Sequence, residues 1–318
     1  MVPIVTYIIR RLLSVIPILL VVGIVVFMIA HLIPGDPAAL ILGSEATIDE
    51  IQALREDMGL NDPLVVQFVN WGKGALRGDL GDSLYFNKPV IEVFLSRMEP
   101  SVLLVIMAIT ISILIGIPLG IIAAINRNKI GDKIAMVLSL VGISTPAFWL
   151  GLMLIMLFGI IWPIFPAVGY VPIREGGLLK SIYYLTLPAL ALGLQRSAGI
   201  ARMTRSSMLD VLNNDFIRTA RAKGLSELKV IVKHTLKNAM IPVITQIGIS
   251  VAHLCGGAVV TETIFNIPGV GQMAVAAIGR RDYAIIQAHV LLVACAFIIV
   301  NLIIDMLYSV FDPRIEYN

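Results

Sequence analysis

The sequence predicts an all-α membrane protein with six spanning helices and a long helical segment after the first span. Hydrophobic residues make up 58% of the 318-residue chain and charged residues 14%, whereas soluble domains have about 45–50% and about 25%. Six apolar stretches are each long enough to cross a hydrocarbon core of about 30 Å. Basic residues gather in alternate connections between these stretches, as they do on the cytosolic side of membrane proteins.

The six predicted spans cover residues 12–33, 101–125, 134–161, 182–203, 239–263 and 286–310. The first rises about 33 Å at about 1.5 Å per residue. It is longer than the apolar region of a signal peptide, and no small-residue cleavage site follows it. We therefore predict a retained span. The fourth is the least apolar, since it contains Pro188, Gln195 and Arg196.

The positions of the basic residues predict the orientation. They precede the first span and fill the connections between spans two and three and between spans four and five. These residues are Arg10, Arg11, Arg127, Lys129, Lys133, Arg202, Arg205, Arg218, Arg221, Lys223, Lys229, Lys233 and Lys237. The positive-inside rule places all of them, and both termini, in the cytosol.

The external segment, residues 34–100, contains five basic and eleven acidic residues. Thr47 and Glu50 form the pattern of a capping box, and Asp62-Pro63 predicts a capped second helix that begins at the proline. We expect short amphipathic helices that lie on the outer membrane face or on a neighbouring subunit. The acidic surface either receives a partner or is simply solvated.

The connection between spans four and five contains a basic helix with small residues at Ala220 and Ala222. Gly224 is suited to end this helix in the left-handed conformation. Arg218, Arg221 and Lys223 offer charge-assisted contacts to an acidic groove. The pattern favours a docking surface for a partner protein; the alternative is a basic helix that lies against anionic lipid headgroups.

Polar residues inside the spans are candidates for a translocation path. Ser144, Thr145 and Pro146 indicate either a proline kink whose hydroxyls satisfy the freed backbone or a pore lining. Gln246 and His253 of the fifth span complete the candidate path. His253 and His289 form either a metal pair or two hydrogen-bonded core histidines, and the second interpretation is favoured.

The sequence has no phosphate-binding loop of the form G-x-x-x-x-G-K-[ST], no HExxH, no CxxC and no G-x-S-x-G. We therefore predict no catalytic residue, no metal and no enzyme activity in this chain. Cys255 and Cys295 lie in apolar stretches, where cysteine behaves as a small hydrophobe. Because topology explains the basic residues, no nucleic-acid partner is expected.

The run Ile217–Gly224, followed by Lys233-His234 and Asn238–Pro242, closely resembles the inner-membrane permease subunits of peptide and nickel ABC importers. The resemblance extends over essentially the whole chain. Its further motifs are His31–Pro37, Gly78–Gly81, Arg202–Leu209, Thr261–Phe265, Pro268–Gly271, Arg281–Tyr283 and Asp312–Arg314.

The resemblance implies the six-helix transmembrane subunit of a type I ABC importer. Residues 1–100 would form the first span and the external amphipathic segment, residues 101–311 the permease core, and residues 204–238 the cytosolic coupling loop. The implied ATPase-coupling residues are Arg218, Thr219, Ala220, Arg221, Ala222, Lys223 and Gly224. The family's Glu-Ala-Ala stretch falls on Arg218, Thr219 and Ala220, so its acidic residue is absent here.

The resemblance also implies the partners and the location. A second homologous permease subunit, two ABC ATPases and an external substrate-binding protein would complete the complex in the lipid of the bacterial inner membrane. The ATPases would use ATP and Mg, while this multi-pass chain would bind no cofactor.

The expected function is the import of short peptides. Glutathione, nickel complexes and oligosaccharides are alternatives within the family. A different class, an ion-coupled secondary transporter, predicts an intramembrane carboxylate, for which Asp305 is the candidate. A membrane scaffold would explain the docking surface but not the helix breakers.

Overall fold

The computed structural model describes residues 4–32, 36–43 and 46–311. The elements up to the first long core helix are α1 (Ile4–Leu32), α2 (Pro37–Leu42), α3 (Ile48–Asp57), α4 (Leu64–Leu76), β1 (Asp82–Ser83), β2 (Lys88–Pro89) and α5 (Val90–Ile125). Next come α6 (Ile130–Ser144), α7 (Ala147–Leu154), the π-helix π1 (Ile155–Ile161), α8 (Ile173–Leu212) and α9 (Asp215–Ala222). The last are α10 (Glu227–Lys229), the π-helix π2 (Val230–Leu236), α11 (Lys237–Gly257), α12 (Val259–Ile264), α13 (Val270–Arg280) and α14 (Tyr283–Phe311).

Helices occupy all six predicted span positions. Four are long and apolar enough to cross a membrane: Val90–Ile125, Ile173–Leu212, Glu227–Gly256 and Tyr283–Ile304. Helices α6 and α7 with π1 make a fifth span if the bent pair is counted as one. Helix α1 carries a shorter apolar stretch, Leu13–Ile29, among the side chains that the structure describes.

The third predicted span is broken rather than continuous. Residues Ile130–Ser144 and Ala147–Ile161 meet at an angle of 99°. Proline lacks a backbone N–H and pushes the preceding residue out of the helical region, and Thr145 accordingly has φ −84° and ψ 121°. Pro146 therefore starts a new helix direction.

The fifth span begins and ends earlier than predicted. A continuous helical stretch runs from Glu227 through π2 into α11 and ends at Gly257. Lys229, Lys233 and Lys237, which were assigned to the connection, therefore belong to the same helical stretch as the span. The separate helix α12 takes up the predicted end of that span.

The chain forms two compact units, of which the larger comprises residues 99–272 and 297–311 among those described. Its centre is α8, which packs against α5, α6, α7 and α11. A methyl group at Gly120 of α5 would lie 2.6 Å from the Ala201 carbonyl oxygen of α8, and one at Gly116 would lie 2.7 Å from the Ser197 carbonyl oxygen. Because lipid supplies no hydrophobic force between helices, such close packing holds them together.

The smaller unit comprises residues 4–98 and 273–296. Strands β1 and β2 pair antiparallel, with Ser83 opposite Lys88. Asp282 accepts hydrogen bonds from the Ser83 hydroxyl at 2.5 Å and from the Tyr85 backbone N–H at 3.2 Å. The guanidinium of Arg280 stacks over the Tyr85 ring at 3.4 Å, so the hairpin is attached to the start of α14.

Two helix starts were predicted in the external segment. The capping box is confirmed: the Glu50 N–H donates to the Thr47 hydroxyl, and the Thr47 N–H donates to the Glu50 carboxylate. The Thr47 N–H, and then the Thr47 hydroxyl, lower the pKa of Glu50 by donating to its carboxylate. The second helix was predicted to begin at Pro63, and this prediction is wrong by one residue. Helix α4 begins at Leu64 with Pro63 in the capping position, and no side chain caps it.

Some predictions fall outside the described residues. The side chains of Arg10, Arg11 and Asp305 are among these, as are residues 33–35 of the first motif and the motif Asp312–Arg314.

Candidate functional site

Helix α9 ends in a Schellman motif. The Gly224 N–H donates to the Arg221 carbonyl at 2.9 Å, and the Leu225 N–H donates to the Ala220 carbonyl at 3.3 Å. Gly224 has φ +75°, which glycine adopts without the steric cost that a Cβ brings. The predicted left-handed glycine stop is therefore confirmed, and it turns the chain sharply from α9 into α10.

The inner face of α9 packs against its own chain. Ile217, Ala220 and Val230 are buried in one cluster, to which Val211, Leu212 and Leu225 contribute partly buried side chains. Residues three apart share a helix face, so Ile217 and Ala220 point inward together. Ala220 was expected to let a partner approach; the structure uses its small size to seat α9 on Val230.

The outer face of α9 is basic and partly apolar. We call the exposed residues Phe216, Arg218, Arg221, Lys223 and Leu228 the α9 surface. Arg221 binds Glu227 through two hydrogen bonds, of 2.8 and 3.3 Å. Thr219, Ala222 and Gly224 are also exposed, so six of the seven predicted coupling residues lie at the surface.

The α9 surface has a direct structural connection to the fifth span. Val230, buried against Ile217, is the first residue of π2, and π2 continues into α11 without a break. The Thr235 hydroxyl donates to the Val230 carbonyl at 3.0 Å, within π2. Packed side chains and a continuous helical stretch therefore connect α9 with α11.

A buried ion pair lies near the end of α8 that leads to α9. Arg205 donates from Nε and Nη2 to the two carboxylate oxygens of Asp132, at 2.6 and 2.7 Å. The Asn128 N–H donates to the same carboxylate at 2.9 Å. The sequence analysis used Arg205 for topology and for the family resemblance and missed this pair. The signal for it is Asp132, the single acid among the basic residues between spans two and three.

The predicted path residues lie around α8. The Thr145 carbonyl accepts a hydrogen bond from Gln195 Nε2 at 3.2 Å, and the Thr145 hydroxyl donates to the Val141 carbonyl at 2.7 Å. Ser144 and Pro146 are exposed beside this break. Gln246 packs on Gly199 of α8. His253 is exposed, seven residues further along α11.

Glu99 and Ser101 of α5 form hydrogen bonds to two other parts of the larger unit, the connection that leads into α8 and the segment from α12 to α13. We call this arrangement the α5 clasp. Glu99 accepts from the Tyr170 hydroxyl at 2.7 Å and from the Ile173 N–H at 2.9 Å. Ser101 donates to Glu262 at 2.6 Å and accepts from the Val270 N–H at 2.9 Å. Burial, and then the bond to Glu99, raises the pKa of Tyr170, so the phenol stays a donor.

Glu262 is the buried centre of this clasp. Its carboxylate also accepts the Gln272 N–H at 3.0 Å, so it satisfies the free N-terminal donors of α13. Gly269 leaves the space that the carboxylate occupies. Glu262 and Gly269 both lie in motifs of the family resemblance, but the sequence analysis did not predict that they contact each other or that Glu262 contacts Ser101.

Within the described part of the chain, no group of three or more His, Cys, Asp or Glu side chains is arranged to hold a metal ion. Cys255 and Cys295 are free thiols.

Comparison with known proteins decides the family. The model of the binding-protein-dependent transport system inner membrane component matches residues 116–317, and that of its N-terminal part matches residues 4–93. The chain belongs to this family. Binding-protein-dependent permeases of ABC importers are membrane-embedded subunits and are not themselves enzymes.

Two relatives illustrate the similarity to other permeases. The chain is 42% identical to the probable peptide ABC transporter permease protein y4tP of Sinorhizobium fredii over 98% of this chain and 99% of that protein. It is 44% identical to the glutathione transport system permease protein GsiC of Salmonella typhimurium, with the same coverage.

The permease fold also matches solved structures. Two inward-facing crystal forms of the MetNI methionine ABC transporter superpose with a TM-score of 0.57 at 16% and 15% identity. They cover 69% and 70% of this chain and 96% and 97% of the matched chain. At this identity the match supports the type I importer fold.

Proposed function

We propose that this chain is one of two permease subunits of an importer that carries short peptides across the bacterial inner membrane. Two ABC ATPases, which use ATP and Mg, dock on the α9 surface from the cytosol. An external binding protein delivers the peptide. The substrate class is supported by the two relatives, one named for peptides and the other for glutathione, which is itself a tripeptide.

The geometry of α9 is the observation that supports its proposed role in coupling the ATPases to the spans. Helix α9 has an exposed basic and apolar face, while its opposite face is buried against Val230. It lies in sequence between α8 and the continuous helix that leads into α11. Closure of an ATPase pair would therefore move α8 and α11 together, and these helices carry Gln195 and Gln246. Such rigid-body coupling is a known form of switching.

The proposed topology places both termini and the α9 surface in the cytosol. It follows from the six predicted spans and from the basic residues in the connections between spans two and three and between spans four and five. The chain contributes no catalytic residue and binds no cofactor, because ATP hydrolysis belongs to the partner subunits.

The test compares two isosteric substitutions at Gly224 in the reconstituted complex. Gly224→Asn and Gly224→Asp both place a side chain in open space, and both residues tolerate the left-handed conformation. They differ in charge, and only Asp opposes the basic docking contacts. We expect Gly224→Asn to keep most peptide uptake per ATP hydrolysed and Gly224→Asp to lose at least about tenfold, since a hydrogen bond to a charged group is worth about 1.5–3 kcal/mol. Equal uptake by both variants and the wild type would overturn the docking role.

Glutathione transport is the second candidate, because GsiC is named for it. Mass spectrometry of the compounds bound to the cognate external receptor separates the two. A mixture of linear peptides supports the first proposal, and glutathione alone supports the second.

A further inference from the structure

Arg196 lies deep inside the fourth span. It precedes Arg205, which belongs to the predicted cytosolic connection and pairs with Asp132, by nine residues on α8. At about 1.5 Å per residue this separation is about 14 Å, roughly half of a hydrocarbon core of about 30 Å. A guanidinium at that depth is costly unless it faces protein or water, and such residues usually mark substrate paths.

None of the residues that the structure describes compensates this charge. Arg196 is half-buried, and its Nε atom is buried without a hydrogen-bond partner. None of the ion pairs formed by the described residues includes it. Arg205, on the same helix, has both a carboxylate and two short hydrogen bonds. Arg196 is thus a cation with unused donors.

The neighbours of Arg196 belong to the candidate path. The preceding residue, Gln195, bonds to the carbonyl of Thr145 at the break in the third span. Gly199, three residues further on, lies on the same face as Arg196, and a methyl group there would lie 3.2 Å from Nε2 of Gln246. This contact with Gly199 places Gln246 at a depth similar to that of Arg196.

We propose that Arg196 binds the carboxylate of the peptide as it crosses the membrane, while Gln195 and Gln246 bond to the peptide's amide groups. The inference deepens the proposed function and depends on it. A guanidinium presents donors in a planar fork that matches a carboxylate. The two glutamines are neutral and can both donate and accept, so they suit a backbone of any sequence. The absence of a side chain at Gly199 leaves room beside them.

The test uses the complete complex in proteoliposomes, with saturating receptor loaded with a peptide in either its free-acid or its C-terminally amidated form. Loading is checked on the receptor alone. We compare the wild type, Arg196→Gln, Arg196→Lys and the control Arg202→Gln, which removes an exposed cation from the same helix. We expect the wild type and the control to import the free acid about tenfold faster per ATP than the amide. Arg196→Gln should bring this ratio to about one without slowing the amide, and Arg196→Lys should retain part of it.

The outcomes separate this inference from the proposed function. If the wild type imports neither peptide, the substrate class is wrong and the inference falls with it. If the wild type imports both at equal rates, or Arg196→Gln keeps the preference for the free acid, peptide import stands and the role of Arg196 is overturned. If the second permease no longer co-purifies with the Arg196→Gln variant, Arg196 pairs with a carboxylate of that subunit instead of the peptide. A preference that varies with anionic lipid content would assign it to a lipid phosphate, and either result also overturns the inference.

Discussion

The Arg205 guanidinium holds the Asp132 carboxylate through two hydrogen bonds, so the first turn of α6 is fixed to α8. The Asp132 side chain is 5% exposed and that of Arg205 is 25% exposed. Arg205 lies ten residues before Asp215, the start of α9, and the pair therefore stabilises the helix that leads to the α9 surface.

Removal of one member of this pair should destabilise the subunit. Leaving a buried charge unpaired costs about 3–5 kcal/mol, and the partial exposure of Arg205 reduces the effect to roughly 2 kcal/mol. We expect Arg205→Gln and Asp132→Asn each to lower the thermal unfolding temperature of the purified complex. The double variant Asp132→Asn/Arg205→Gln should be less destabilised than the sum of the two. Simple additivity would contradict a direct pair.

Gly269 should not tolerate a side chain, because a methyl group there would overlap the Glu262 carboxylate. Overpacking typically costs about 1–3 kcal/mol, and displacement of Glu262 would also uncap α13. We expect Gly269→Ala to reduce the thermal stability of the complex. Gly279→Ala is the control, since a methyl group at Gly279 of α13 meets no atom within 4 Å. Equal stabilities of the two variants would show that the clasp does not depend on this contact.

The close approach of α5 and α8 should depend on Gly120. A methyl group there would lie 2.6 Å from the Ala201 carbonyl oxygen, inside van der Waals contact, whereas one at Gly256 of α11 meets open space. We expect Gly120→Ala to lower the yield of folded, monodisperse complex by several-fold, since about 1–3 kcal/mol is a large part of marginal stability. Gly256→Ala should leave the yield unchanged. Size-exclusion chromatography of both complexes measures the difference.

Charge reversal on the α9 surface should weaken ATPase binding and leave the fold intact. The Arg218 side chain is 77% exposed, and its ion pair with Asp215 is long, at 3.5 Å, so its loss should change stability by less than about 1 kcal/mol. We expect Arg218→Glu to reduce the amount of ATPase that co-purifies with the tagged chain, more strongly at low salt.

The control for this prediction is Arg77→Glu, an exposed reversal in the external segment. If both variants retain the ATPases equally, the α9 surface is not the docking site.

Local patterns accounted for much of the fold. The capping box at Thr47 and the left-handed Gly224 depend on residues within a few positions of each other, and both were predicted correctly. The sharp break at Thr145-Pro146 was predicted only as a kink, because the bend angle depends on how α7 packs against α8. The inward direction of Ala220 could not be predicted, since it depends on Val230, in a different helix.

Sequence alone determined that this is an all-α membrane protein of the binding-protein-dependent permease family, because composition, apolar length and short motifs are properties of adjacent residues. The tertiary structure decided which polar groups have partners. Arg205 meets Asp132 across 73 positions and Ser101 meets Glu262 across 161, and only packed helices bring such groups together. The same packing places Gln246 beside Gly199 and leaves Arg196 without a carboxylate partner among the described residues. The contrast between Arg205 and Arg196 arises only on folding, because both side chains are solvated in the unfolded chain.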